Sequence, residues 1–183
     1  LAELESSRAG KIGMEVGSVR EKVIVALFIY KFGEENVQTE IPITHAEVDV
    51  IVCNTPISIK TITGKKLGGV KISWTVDKAK AKEFLDNYYP GCDIVLVQIN
   101  WNNSGGFFYL PREVQEDVFK RLGRDRYIKL PVEGTNPRGV EISAEGLIKL
   151  TAHNGSFKIP IDWTKETIDF KPFQRWLELW QND

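Results

Sequence analysis

The 183-residue sequence has few of the side chains that build most metal and redox centres: two cysteines, two histidines and a single methionine. Cys53 and Cys92 lie far apart inside apolar runs and read as small buried hydrophobes. That excludes a disulfide framework and gives a cytoplasmic protein as the expectation. The histidines are equally scattered, so no zinc-type spacing exists. Any catalytic metal has to be held by oxygen ligands, the preference of magnesium. Long apolar runs are missing as well: VIVALFIY (23–30) is far too short to span a bilayer. The polar opening LAELESSRAGK is not a secretory signal, so no membrane partner is expected. Neither charge sign dominates. A formal net charge of −1 argues against a protein that coats nucleic acid, but not against a DNA enzyme whose basic residues line one cleft.

No repeat, low-complexity tract or linker interrupts the chain. With 42% apolar and 27% charged residues it reads as one globular domain over 1–183. Residues 1–17 lack a clear period and form an N-terminal arm. Ser18 opens a helix to about Phe32, with Glu21 completing a capping box and Gly33 as the stop. The middle of that helix is apolar nearly all round, the mark of a buried helix. EVDVIVC (47–53) and ISIKTIT (57–63) then read as a hairpin about a turn at Asn54–Pro56. A glycine- and lysine-rich loop, GKKLGG (64–69), leads to a strand VKISW (70–74) and a helix from Val76 to Tyr88. CDIVLVQI (92–99) is a buried strand, Asn102–Gly106 a loop and FFYL (107–110) a short strand. Pro111 starts the helix REVQEDVFKRLG. YIKL (127–130), a loop at Glu133–Gly139, a helix over Ala144–His153, a strand FKIPIDW (157–163) and a helix PFQRWLELW complete the chain. Strands mixed with helices predict an α/β domain around a central mixed β-sheet flanked by helices.

The chemistry-bearing residues sit in the hairpin. Alternation puts Glu47 and Asp49 on one face of the first strand and Val48, Val50 and Val52 on the other; Ser58, Lys60 and Ile62 share a face of the second. Such a face can be merely solvated. Yet Asp49 in VDVIV and Lys60 in ISIKT are embedded in core-type sequence, where a charge is costly unless it is paired or ligates a metal. An acid and a lysine on adjacent strands suit phosphodiester hydrolysis, in which carboxylates hold magnesium and the lysine serves the attacking water.

An aspartate, a short turn, then a lysine–threonine pair on the next strand resembles the PD-(D/E)XK nuclease superfamily. The sequence departs from that pattern twice: Val48 replaces the proline before Asp49, and Ser58 stands at the usual second acid. Members with this lesion supply an acid from elsewhere, often a helix, and Glu21 is the choice for it, although it could equally be only a helix cap. The spacing of Glu21, Asp49 and Lys60 is similar to that of type II restriction endonucleases cutting CGCG to blunt ends. The resemblance implies catalysis by these three residues, with magnesium held by Glu21, Asp49 and the Ile59 backbone carbonyl. It also implies a homodimer on a palindromic duplex, with the two Met14 side chains wedged into the CG steps. Glu47 shares the face of Asp49 and rivals Glu21. Asp162 and Asp169-Phe-Lys171 imitate the motif, but Pro172 follows at once and leaves no second strand for the lysine.

DNA contacts are expected from Lys65, Lys66 and Lys71 to phosphates, from Asn102 and Asn103 in a polar loop, and from Arg138 to guanine. No small-molecule cofactor beyond the metal is implied. Two rivals remain: a structure-selective repair or junction nuclease with the same chemistry, and a non-catalytic DNA-binding module on a decayed nuclease fold, which Ser58 makes credible.

Overall fold

In the computed structural model the described residues are 15–42, 47–75, 77–131, 139–165 and 173–182. They form α1 (Glu15–Phe32), a single 3-10 turn (Glu34–Asn36), β1 (Val37–Gln38), β2 (Val50–Val52), β3 (Thr55–Thr63), β4 (Val70–Ser73) and α2 (Lys78–Asn87). There follow β5 (Asp93–Ile99), β6 (Ser104–Leu110), α3 (Arg112–Leu122), α4 (Arg124–Tyr127), β7 (Ile128–Lys129), β8 (Val140–Ile142), α5 (Ala144–Thr151), β9 (Phe157–Asp162) and α6 (Gln174–Gln181).

The main sheet runs β1-β2-β3-β5-β6-β9, and β3–β5 is its one parallel pairing. This is the mixed central sheet that the sequence predicts. All seven residues of β5 are buried, because it is central and covered on both faces. Its alternate side chains feed two cores. Ile94 and Leu96 join Leu110, Tyr127, Leu147 and Leu150 beneath the later helices. Val95, Val97 and Ile99 join Ile24, Val50, Ile57 and Ile59 under α1. Fully buried chains such as Leu96 and Val97 each contribute about 1.5–3 kcal/mol by leaving water.

Several boundaries differ from the sequence reading, each for a local reason. Helix α1 begins at Glu15, ahead of Ser18, so no capping box forms and Glu21 lies within the helix. Its end is as predicted: Gly33 takes a φ of 86°, which a side chain would resist. The hairpin turn is Cys53–Asn54, both at positive φ (49° and 65°), and not Asn54–Pro56. Pro56 instead lies in β3 opposite Ile51, one residue ahead of the pairing with β5, where its missing N–H does no harm. Asp77 caps α2 through hydrogen bonds from the Ala79 and Lys80 amides, which moves that helix start inward from Val76. Pro111 precedes α3 as its cap residue, and Tyr127 closes the short helix α4 instead of opening a strand. β6 begins at Ser104, so three of the five residues of the expected Asn102–Gly106 loop are strand. A second, three-stranded sheet, β4-β8-β7, was not foreseen. No described helix is long and apolar enough to cross a membrane.

Candidate active site

The hairpin brings the predicted acid and lysine together. Pairing of β2 with β3 stops at Val50↔Ile57, so among the described residues β3 has a strand partner only on its β5 side from Ser58 onward. Asp49 lies just beyond the end of β2 and turns its carboxylate into this opening. Its Oδ2 accepts from the Ile59 amide (2.6 Å) and the Ser58 hydroxyl (3.2 Å), and lies 3.6 Å from Lys60 Nζ. A strand residue points its N–H and C=O to the same side. The Ile59 carbonyl therefore faces the same opening as the amide that Asp49 caps. Asp49 and Lys60 are both about four-fifths buried (side chains 20% and 19% exposed), so their attraction is less screened than that of a surface pair.

Glu21 approaches from α1, which packs over the hairpin strands. Partial burial and then the negative charge of Asp49 hold its carboxyl above the usual range, against the pull of Lys60 and Lys22. Two carboxylates thus face one lysine, and the charge of Asp49 opposes the ionisation of Glu21. The cap reading of Glu21 falls with the capping box. Its neighbour Arg20 is buried and donates to the Thr63 hydroxyl at 3.0 Å, fixing α1 against β3.

Glu47 lies on the side of the first core. It lines a small cleft with Ser58, Lys60, Ile72, Tyr88, Cys92 and Gln115. Burial pushes its carboxyl up to about 7, with Lys60 pulling the other way. The Cys92 thiol is pushed up to about 12, by burial first and then by Glu47. Among the described residues no three of His, Cys, Asp and Glu cluster closely enough to hold a metal ion. The donor set at the opening is two carboxylates and one backbone carbonyl. That suits magnesium, which keeps several of its own waters and takes one or two protein carboxylates. Crowded like charges are what a cation would relieve.

The proposed DNA contacts are dispersed. Lys65 and Lys66 are exposed in the loop after β3, which Gln98 holds by donating to the Gly64 and Lys65 carbonyls at 3.0 Å. Lys71 on β4 places its ammonium 3.9 Å above the Trp74 ring. The Asn102 and Asn103 side chains are held within the protein: Asn102 Oδ1 accepts from the Lys165 amide beyond β9, and Asn103 donates to the Trp101 carbonyl of its own loop. Met14, Arg138 and Asp169-Phe-Lys171 lie outside the described residues. Sequence reasoning missed Ser58 as a donor to Asp49. It also missed the burial of Glu47, whose cover comes from residues distant in the chain.

Comparison with known proteins bears on this arrangement. A family model described as "Restriction endonuclease ThaI" matches residues 1–182. A solved structure described as "Restriction endonuclease in complex with substrate DNA" is similar over 100% of this chain and 88% of its own, at 54% identity and a TM-score of 0.91. No curated protein matches the chain.

Proposed function

The chain belongs to the restriction endonuclease ThaI family and so is a type II site-specific deoxyribonuclease, and from that premise we propose that it cuts both strands of duplex CGCG to blunt ends, using magnesium, as a homodimer. The observation that carries the catalytic assignment is the convergence of Glu21 and Asp49 beside Lys60 at the open edge of β3. It supports a PD-(D/E)XK type of chemistry in this hairpin, with Glu21 in the part of the acid missing at Ser58.

Magnesium, when bound, polarises the scissile phosphate and acidifies water. Glu21, Asp49 and the Ile59 carbonyl would hold it. The protein's own groups do the rest. The Ile59 amide and Ser58 hydroxyl fix the rotamer of Asp49, so its carboxylate needs no reorganisation on binding. Lys60 stands where it can orient the attacking water and accompany the charge that grows on the phosphate. Lys65, Lys66 and Lys71 contact phosphates, Asn102 and Asn103 help shape the rim, and Arg138 reads guanine. Met14 enters the CG steps, and cytoplasmic residence gives access to invading DNA. The related structure's complex with substrate DNA supports a duplex as the partner.

The test is a digest of plasmids with and without CGCG, in magnesium and in EDTA. Blunt fragments from the CGCG plasmid in magnesium alone are expected. Cleavage of branched DNA only, or DNA binding without cleavage under any metal, would replace this reading with one of its two rivals.

A further inference from the structure

The stripe of α1 that faces the sheet changes character along the helix. From Ile24 onward it is apolar, with Ile24, Val25, Phe28 and Ile29 packed against the strands below. One turn earlier the same stripe carries Arg20 and Glu21, each at i−4 from Ile24 and Val25. Arg20 is 7% exposed and is the one buried lysine or arginine among the described residues. A cation withdrawn from water is costly and is kept only where hydrogen bonds offset the loss. Arg20 donates from Nη1 to the Thr63 hydroxyl at 3.0 Å. Thr63 ends β3, on the face that alternation also gives to Ile57 and Ile59. The bond therefore ties the residue beside Glu21 to the strand that carries Lys60 and whose Ile59 amide holds Asp49.

From this link we infer that Arg20 is a positioning residue: through Thr63 it sets the slide and rotation of α1 at which Glu21 faces Asp49. The apolar stripe cannot do this alone. Its contacts are non-directional, so they press α1 onto the sheet without fixing where along β3 it comes to rest. Groups that share a metal ion have to be held to within about 0.5 Å. A guanidinium N–H aimed at a hydroxyl is directional, and it lies one residue from the carboxylate it must place. Removing Thr63 as the acceptor leaves the charge of Arg20 in the protein, so position can be tested apart from charge.

This inference rests on the reading of Glu21 and Asp49 as the metal-holding acids of a nuclease, and a measurement other than cutting separates the two. Wild type, Thr63→Val, Thr63→Ser, Arg20→Lys, the Arg20→Lys/Thr63→Val double variant and Ile24→Val are compared. Each is titrated with manganese alone, followed by loss of the free ion's electron spin resonance signal. Metal-free circular dichroism melts, and kcat and KM on a CGCG duplex in magnesium, are measured alongside. Thr63 is exposed, so Thr63→Val should fold. It should bind manganese about tenfold more weakly, the order of loss when a group that orients a metal ligand is removed, and lower kcat with little change in KM. Thr63→Ser keeps the hydroxyl and should restore both. Arg20→Lys replaces the aimed fork with a shorter ammonium and should lose as much as Thr63→Val. The double variant should lose no more than either, because one contact is gone in all three. Ile24→Val thins the packing without touching the anchor, so its melt should fall while manganese binding holds. Full affinity in Thr63→Val or Arg20→Lys, a wild type that takes up no manganese, or losses that track the melt in every variant overturn the positioning role. The expected losses in a protein that cuts no DNA uphold it and refute the nuclease reading.

Discussion

Glu47 makes the free energy of this fold depend on pH in a direction opposite to the usual carboxylate. Most carboxylates in folded proteins are stabilised as anions, so folding strengthens as pH rises. Burial raises Glu47 from 4.5 to about 7, so the native state holds its proton over a range in which the unfolded chain has released it. The sign follows: its contribution is fully present below about pH 4.5 and is lost as pH rises through about 7. The span is about 2.5 pH units, which at roughly 1.4 kcal/mol each gives an upper figure of about 3.5 kcal/mol, nearly all of it between about pH 4 and pH 8. Glu47→Gln removes the titration while keeping the size and a hydrogen-bonding head. Urea unfolding of both proteins, in EDTA so that no metal intervenes, should show the variant gaining about 3 kcal/mol on the wild type between about pH 4 and pH 8. Other titrating groups, Glu21 included, largely cancel in the difference. Parallel stability profiles for the two proteins would refute the buried, protonated Glu47.

Asp49→Asn keeps an oxygen to accept from the Ile59 amide, so it should fold normally while plasmid cutting falls at least about 10²-fold; Lys60→Ala should do the same. Near-normal rates from either would remove the hairpin from the chemistry. Glu21→Gln relieves the repulsion with Asp49, so metal-free stability at neutral pH should hold or rise while magnesium-dependent cutting is lost. A fully active Glu21→Gln protein would shift the second acid to Glu47. Met14→Ala should weaken binding to a CGCG duplex by a few kcal/mol at most and leave the free protein's melt unchanged. A variant destabilised by about 2–5 kcal/mol that binds its site normally would make Met14 a core residue.

The hairpin was legible because two short β-branched segments flank a turn, with Glu47 and Asp49 alternating with valine in the first and Lys60 set among isoleucine and threonine in the second. Its turn was not, since Cys53 and Asn54 at positive φ lack the glycine that usually marks such a turn, while Pro56 attracts attention to the wrong place. The extent of α1 was hidden by Ser18 and Glu21, which spell a cap where the helix has already begun at Glu15. A strand as short as β8 carries too few residues to show any period; it forms by long-range pairing with β4 on one side and β7 on the other. The surroundings of Glu47 were illegible for a related reason. Ser58 comes from β3, Tyr88 and Cys92 from the connection between α2 and β5, and Gln115 from α3, and no local pattern foretells their meeting.

The early stop of β2 also matters for what the protein must not do. A strand partnered on one side offers the other as a template for any extended peptide, which is how sheets recruit foreign strands and begin to aggregate. Among the described residues β3 from Ser58 to Thr63 has no strand partner on that side, and its sequence, SIKTIT, is rich in the β-branched residues that favour stacking. Asp49 takes the Ile59 amide that an incoming strand would need, and Lys60 sets a charge in the middle of the segment. The pair assigned to cutting DNA therefore also serves as a gatekeeper. Replacing Asp49 with an apolar residue would do more than silence the enzyme, because it would uncover an adhesive edge.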